Sequence, residues 1–490
     1  MKKVTILGGG LSSLSASCYL AKNNFDVTIV EKNNTLGGRL SAFSENGFTF
    51  DMGPSWYWMP DVFEGFFKDF DKKPSDYFDL VRLDPSYKFF TDSKDLDVPA
   101  DLDSFYNMCE EIEEGSSLSL KKFLDDAKIK YDISFKSFIN LPNLSVFEYF
   151  SPSVLRHIFS LNLLNNLRDY ISKYFKSKEM RLLLEFPSMF LGGSPLNTPA
   201  LYSLMNYADI VGGTWYPMGG MYRISESFEK LSLELGVKHI KNEEISSFKI
   251  NNNSIDFAQS IHSKIYKSDV FLSGAEYPFV QLNLLDRDFR SYSENYWSKK
   301  DVAPSALIFY VGLSKKIKGM RHHNLFFDKD FNMHLNEIFS KDVWPTDPLF
   351  YVCCPSKTDP SVVPNDNSEN LFILIPIGSG SDDSEYLRDS YFSKVILRIE
   401  KKFNMDIKDS IIFKKSFCVD DFKQRYNAFK GNAYGLANTL SQTAVFKPKI
   451  KDKKINNLYY SGHFTIPGPG LPPAVISGKI AANQIIKDFK

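Results

Sequence analysis

The opening segment restricts the fold more than any other part of the chain. Residues 4–7 form a short apolar run of strand type that breaks at Gly8-Gly9-Gly10, after which Leu11, Leu14, Cys18 and Ala21 recur at helical spacing. A second apolar run, residues 27–30, ends in Glu31. Strand, glycine turn, helix and strand in this order make a βαβ unit, whose crossover is right-handed and whose sheet is parallel. The chain therefore opens with half of a nucleotide-binding fold. Bare Gly8 and Gly10 let the backbone approach a pyrophosphate, whose charge then faces the amides and the positive dipole end of a helix beginning at Leu11 and Ser12. The third position of the G-x-G-x-x-G pattern is Ser13, which predicts a slightly displaced helix. Glu31, 21 residues beyond Gly10, stands where an acidic side chain accepts hydrogen bonds from an adenosine ribose. The other reading of this segment is a glycine turn with only a structural task.

A chain of 490 residues is about three times the ~150-residue domain norm, so two or three units are expected. With 59 basic and 59 acidic residues the formal charge is zero, and the electrostatic drive toward nucleic acid is missing. No nucleic-acid partner is expected. The five cysteines show no CxxC or CxxH spacing, so neither a disulfide framework nor a metal site is signalled, and a reducing cytoplasm fits. The basic start, Met1-Lys2-Lys3, imitates a signal peptide only until the glycines interrupt it. No run reaches the ~20 apolar residues of a membrane span, so any membrane contact is expected to be peripheral. Aromatic residues make up 15%, 43 of them Phe, which is more flat apolar surface than a core needs; it suggests an apolar ligand channel or a membrane-facing patch.

Residues 61–191 are Phe- and Leu-rich with interspersed Lys, and stretches such as 155–174 suit amphipathic helices. Strand patterns follow at 245–250, 270–273, 305–313 and 371–377, and a last strand and helix are expected at 457–462 and 474–486. The charged run 447–454 reads as a solvated linker.

The stretch after the second strand separates the candidate cofactors. Leu36-Gly37-Gly38-Arg39-Leu40 and Asp51-Met52-Gly53-Pro54-Ser55 supply further glycine and an arginine. A nicotinamide enzyme has no need of a second glycine-arginine turn here, whereas an extended FAD needs more backbone contacts near its pyrophosphate and ribityl chain. FAD is the favoured ligand, with a surface ion pair as the plainer role of Arg39. At the far end Gly462-His463 leads into a proline-glycine loop, Pro467 to Pro473, and a helix with small residues on one face. Proline suits a first helical turn, and such a helix end would stabilise negative charge developing at flavin N1 and the C2 carbonyl. The plainer alternative is a loop that closes the chain.

Together, Gly8-Gly9-Gly10, Gly37-Gly38-Arg39, Asp51-Met52-Gly53-Pro54-Ser55, Gly192-Gly193-Ser194-Pro195, the segment Trp215-Tyr216-Pro217-Met218-Gly219-Gly220-Met221, His322-His323-Asn324 and the Pro467-to-Ala482 signature resemble the bacterial-type phytoene desaturases of the FAD-containing amine-oxidase-like superfamily. The resemblance spans nearly the whole chain. It implies an α/β fold: a Rossmann-like FAD-binding domain assembled from residues 1–85, 215–290 and 455–490, a mixed-sheet substrate domain at 291–454, and a mainly helical, membrane-facing region at 86–214. By position it implies that Gly8, Gly10, Glu31, Gly38 and Arg39 hold the adenosine and pyrophosphate portions. It likewise sets Ile245 at the adenine, Ala275 and Gly462 near the cofactor, and Gly470, Leu471 and Pro472 at the ring system. Trp215, Pro217, Gly219 and Gly220 are the substrate candidates. The chain departs from the family at Ser12 and Ser13, where a Gly-rich pair is usual, and at Gly274-Ala275-Glu276, where Asn-Ala-Asp is commoner.

The implied activity is stepwise desaturation of phytoene toward lycopene, with hydride passing to flavin N5 and electrons leaving to a quinone or oxygen. The implied location is the cytoplasm, at the inner face of the cell membrane. A sister carotenoid oxidoreductase, or a flavin-less isoprenoid carrier, are the alternatives. His322 and His323 are expected to point to opposite faces of a strand without binding metal, Cys353 and Cys354 to pack in a strand, and His463 to sit near the flavin.

Overall fold

The computed structural model describes residues 1–145, 147–148, 161–163, 165–340 and 343–490. Strand β1 (Lys3–Leu7), helix α1 (Leu11–Lys22) and strand β2 (Asp26–Val30) form the expected opening unit. β1 is the centre of a five-stranded sheet: β2 and then Lys238–Ile240 lie on one side, Val270–Ser273 and then Leu458–Tyr460 on the other. Every pairing in it is parallel. Val4, Ile6, Val27, Ile29, Val270 and Leu272 are buried on one face and Leu7, Val30 and Phe271 on the other, the pattern of strands covered on both faces. One face is covered by α1, which packs against the helices Leu471–Phe489 and Tyr222–Glu234. The approach of the C-terminal helix depends on Gly478, where a Cβ would lie 2.2 Å from the Ser12 carbonyl oxygen. A single sheet thus joins segments from both ends of the chain and from its middle.

The second sheet has seven strands in the order Ile411–Phe417, Ser305–Leu313, Glu369–Ile377, Phe350–Cys353, His323–Phe327, Tyr87–Thr91 and Asp95–Val98. It is mixed, because Tyr87–Thr91 runs parallel to His323–Phe327 while the other neighbours are antiparallel. The last two strands lie within residues 86–214, where a mainly helical region is expected, and join its first residues to the second sheet. Phe89 and Phe90 are buried in different clusters on the two faces of this sheet; Asp95–Val98 pairs with their strand across a short turn, while the parallel partner His323–Phe327 lies more than two hundred residues away. Helices do follow, at Leu102–Ile112, Ser116–Ile133, Lys178–Glu185 and Leu204–Ile210. The helix expected at 155–174 falls partly outside the described residues; within them Leu167–Ile171 is a short helix capped by the Asn166 side chain.

The run 447–454 is not a solvated linker. Lys447, Ile450 and Asp452 are buried, and the Asp452 carboxylate accepts hydrogen bonds from Ser291 Oγ (2.7 Å), Gln281 Nε2 (3.0 Å) and Tyr460 OH (3.1 Å). The segment lies along the edge strand Leu458–Tyr460, with Tyr460 N donating to Ile450 O, and among its charges only Lys453 and Lys454 are exposed. The buried Lys447 ammonium is driven down to about 7 by desolvation, with Lys300 adding repulsion.

Candidate functional site

A cavity of about 450 Å³ begins at the carboxyl ends of β1 and β2 and continues beneath the seven-stranded sheet. Gly8, Gly10, Leu11, Ser12, Glu31, Gly38, Arg39, Ile245 and Ala275 line its first arm. Gly462, Gly470, Leu471 and Pro472 line it from the chain's other end. All the cofactor candidates therefore meet in one space, at the place where open parallel sheets take their ligands.

The local chain explains why. Gly8 turns with φ +82°, and a Cβ there would stand 3.2 Å from Ala275 N. Gly37 N donates to Gly9 O at 2.8 Å, which folds the second glycine turn onto the first. Gly9 N in turn donates to Glu31 Oε2 at 2.6 Å, fixing the carboxylate at the end of β2. A Cβ on Gly10 would meet nothing within 4 Å, so this backbone lies bare to the cavity. Gly470, with φ +118°, caps the helix Leu471–Phe489 and directs its proline-bearing first turn at the same space. A bare glycine floor beside a helix start, with a second helix start opposite, fits a dinucleotide carrying a flat ring, and FAD is such a group.

Beside this floor Arg39 and His463 meet Glu276, which the sequence marks only as a departure from the family. Glu276 is fully buried and accepts from Asn432 Nδ2 (2.6 Å), Phe429 N (3.0 Å), Arg39 Nη2 (3.3 Å) and His463 Nε2 (3.0 Å). Burial alone would raise its pKa, but the Arg39 guanidinium and His463 outweigh that and hold it below the usual carboxylate range. His463 is itself pushed down, first by desolvation and then by Arg39, against the pull of Glu276. Arg39 lies over the Tyr426 ring at 4.9 Å, and its buried Nε has no partner.

The second arm is aromatic and aliphatic. Trp56, Trp58, Phe186, Phe190, Leu325, Phe327 and Tyr351 line it, drawn from the segment after the glycine-arginine turn, the helical region and the second sheet. None of these was legible as a wall residue, because no periodicity marks residues that converge from three parts of a chain. The excess of Phe was the only signal.

Trp215, Pro217, Gly219 and Gly220 do not line the cavity. Gly219 and Gly220, with φ +94° and +123°, make the turn into the helix Tyr222–Glu234. Gly219 N donates to Asp359 Oδ2 at 2.5 Å, and the Asp51 carboxylate accepts from Met221 N and Tyr222 N, both at 2.8 Å. These glycines seat a helix terminus. Burial raises Asp51 to about 7, although the two amides oppose it.

His322 and His323 also depart from expectation, since their rings lie 4.5 Å apart. His323 is the first residue of its strand and His322 precedes it, so strand alternation does not separate them. Cys353 ends the neighbouring strand and Cys354 follows it, both buried as free thiols.

The sequence matches the family described as flavin containing amine oxidoreductase over residues 11–486. It is 38% identical over 488 residues to a carotenoid 3,4-desaturase of Haloarcula japonica, with 99% of this chain and 98% of the relative covered. A zeta-carotene-forming phytoene desaturase of Myxococcus xanthus is 28% identical, covering 99% and 94%. A 4,4'-diapophytoene desaturase of Staphylococcus aureus is 31% identical, covering 100% and 99%. Among solved structures, a redesigned putrescine oxidase superposes with a TM-score of 0.63 at 12% identity, covering 99% of both chains. A fatty acid isomerase from P. acnes superposes with a TM-score of 0.61 at 14% identity, covering 100% and 99%. At such low identities these two likenesses speak for the fold.

Proposed function

Because the chain belongs to the flavin containing amine oxidoreductase family, we propose that it is an FAD-dependent carotenoid desaturase converting phytoene stepwise to lycopene or a related carotene. The observation that carries this reading is the continuity of a bare glycine floor and an aromatic arm in one cavity. Phytoene offers no hydrogen-bonding handle, so its recognition rests on apolar surface and channel shape. FAD, when bound, supplies the acceptor for hydride removed from an allylic carbon. Gly8 and Gly10 give backbone room to its pyrophosphate, Glu31 stands for the ribose, and the ion pair with Glu276 holds Arg39 in place beside them. Trp56, Trp58 and Phe190 exclude water and hold a slender hydrocarbon extended. Residues 1–85, 215–290 and 455–490 act in this reading as the cofactor unit, and 291–454, joined by the strands of 87–98, as the substrate unit.

Electrons taken up by FAD would leave to a quinone or oxygen. Substrate arrives from a membrane at the inner face of the cell membrane, which the protein touches peripherally. Among the described residues no helix is long and apolar enough to cross a membrane. Exposed Leu144, Phe147 and Phe446 offer a contact surface: they sit on two loops joined where Asn143 Nδ2 donates to Ala444 O and Lys447 O.

A second reading, dehydrogenation between C3 and C4 of a more conjugated carotenoid, is favoured by the higher identity to the Haloarcula relative. Expression in one host that accumulates phytoene and another that accumulates lycopene, followed by chromatography of the pigments, decides. Red-shifted products in the first host support phytoene desaturation, and products in the second host alone support the 3,4-reaction. No new polyene in either, with yellow flavin-loaded protein present, overturns both. Protein that stays colourless after FAD is added is instead a carrier.

A further inference from the structure

His323 opens the strand His323–Phe327, and the antiparallel register sets it opposite Cys353 on the neighbouring strand. Imidazole and thiol therefore leave the sheet on one face. His322, just before the strand, brings its ring beside that of His323. One donor atom from each of the three side chains lies within 4.8 Å of the other two, and all three residues are buried. The Nδ1 atoms are already engaged, His322 with Thr358 Oγ1 at 2.8 Å and His323 with Tyr351 OH at 2.6 Å. Both Nε2 atoms are buried with no hydrogen-bond partner. Buried ring nitrogens left unpaired are costly, and in the tautomer whose Nδ1–H donates to these hydroxyls each Nε2 holds a lone pair that a cation would take up. A histidine that ligates a metal has its second nitrogen held by an outer oxygen, which is what Thr358 and Tyr351 provide.

We infer that His322, His323 and Cys353 form a binding site for a single zinc(II) or copper(I) ion. Two imidazoles and a thiolate make a borderline-to-soft donor set, which disfavours magnesium and calcium and suits these two cations. On binding, the thiol gives its proton to solvent and the ion joins two adjacent strands of the seven-stranded sheet. Trp56 lies flat on the His323 ring, 4.1 Å between centroids and 9° between planes, and lines the cavity on its other side. The ion therefore stiffens the wall of the apolar arm from behind, without touching the reacting atoms.

The test uses the untagged, flavin-loaded protein, purified without chelator. Elemental analysis is expected to find about one zinc or copper per chain; zinc in the aerobic preparation identifies the first cation, and copper retained only under reducing conditions the second. Cys353→Ser and His322→Gln are each expected to lower that content at least tenfold. Should either variant fail to fold, cobalt(II) added to metal-stripped wild-type protein decides, through a thiolate-to-cobalt charge-transfer band in the near ultraviolet. Metal content that persists unchanged in both variants overturns the site. So does isolated protein free of both metals that develops no such band.

Discussion

Ser13 occupies the space that a side chain at Gly274 would need: a Cβ on Gly274 would lie 2.0 Å from Ser13 Oγ. The two departures from the family pattern are thus halves of one contact. The glycine that lets helix meet strand has moved from the helix to the facing loop, and the serine fills the room it leaves. The substitution Gly274→Ala is expected to cost about 1–3 kcal/mol through overpacking, and Ser13→Gly in the same chain to recover most of it. Urea unfolding of the two single variants and the double variant measures the coupling; simple additivity would contradict it.

Gly10 is a different kind of glycine. Its φ of −70° suits any residue, and the space beyond its Cα belongs to the cavity. Gly10→Ala is therefore expected to leave the stability of the cofactor-free protein within about 0.5 kcal/mol, while weakening FAD binding by about tenfold or more, since the methyl stands where a pyrophosphate must approach. Quenching of flavin fluorescence on titration reads the affinity, and thermal unfolding of the same samples reads the stability.

The parts of this protein that could be read from its sequence are those whose partners are near in sequence or whose residues are unusual. Gly8, Gly10 and Glu31 lie within one βαβ unit, and Gly470 to Pro472 open a regular helix, so short patterns reveal them. The hairpin of Tyr87–Thr91 with Asp95–Val98 could not be joined to the second sheet, because its parallel partner His323–Phe327 is remote. Trp215 to Gly220 are substrate candidates by resemblance; they lie off the cavity, where their positive-φ turn serves Asp51 and Asp359, two carboxylates that only the folded chain brings to it. The polarity of Lys447 and Asp452 misled, since charge in sequence says nothing about a buried partner such as Gln281.

Glu276 is buried, and Arg39, about one fifth exposed, is its charged partner at 3.3 Å. Removing that partner by Arg39→Met leaves a carboxylate in a dry site with His463 and Asn432 for company. Destabilisation of about 1–3 kcal/mol is expected, less than for a fully enclosed pair because solvent screens part of the attraction. The double change Arg39→Met with Glu276→Gln is expected to recover part of that loss, measured by urea unfolding of the cofactor-free proteins.

His334 is buried, and its Nδ1 accepts from Leu349 N at 3.3 Å, a bond that requires the neutral ring. Desolvation, with repulsion from Arg398 second, lowers its pKa from 6.5 to about 3. The unfolded chain binds this proton near pH 6.5 and the folded chain does not, so the stability it supports is complete above pH 6.5 and falls as pH drops toward 3. Between pH 6.5 and 5 this amounts to about 2 kcal/mol. Comparing unfolding free energies of wild type and His334→Gln at pH 7 and pH 5 isolates it: the variant is expected to lose less on acidification, and equal losses would contradict the assignment.

Ala306 lies in the strand Ser305–Leu313 opposite Pro376, and both residues line the apolar arm. An aromatic ring added there has the cavity as its nearest free volume, so Ala306→Phe fills channel space and leaves the glycine floor untouched. The expected result is a protein with wild-type flavin content and an unfolding midpoint within a few degrees, but with desaturation of a full-length carotene reduced about tenfold or more, since recognition here has only shape to draw on. A shorter isoprenoid is expected to lose less, because it need not pass the new ring. Equal loss on long and short substrates would place the arm's contribution elsewhere, and loss of flavin together with activity would show that the two arms are mechanically coupled through the sheet.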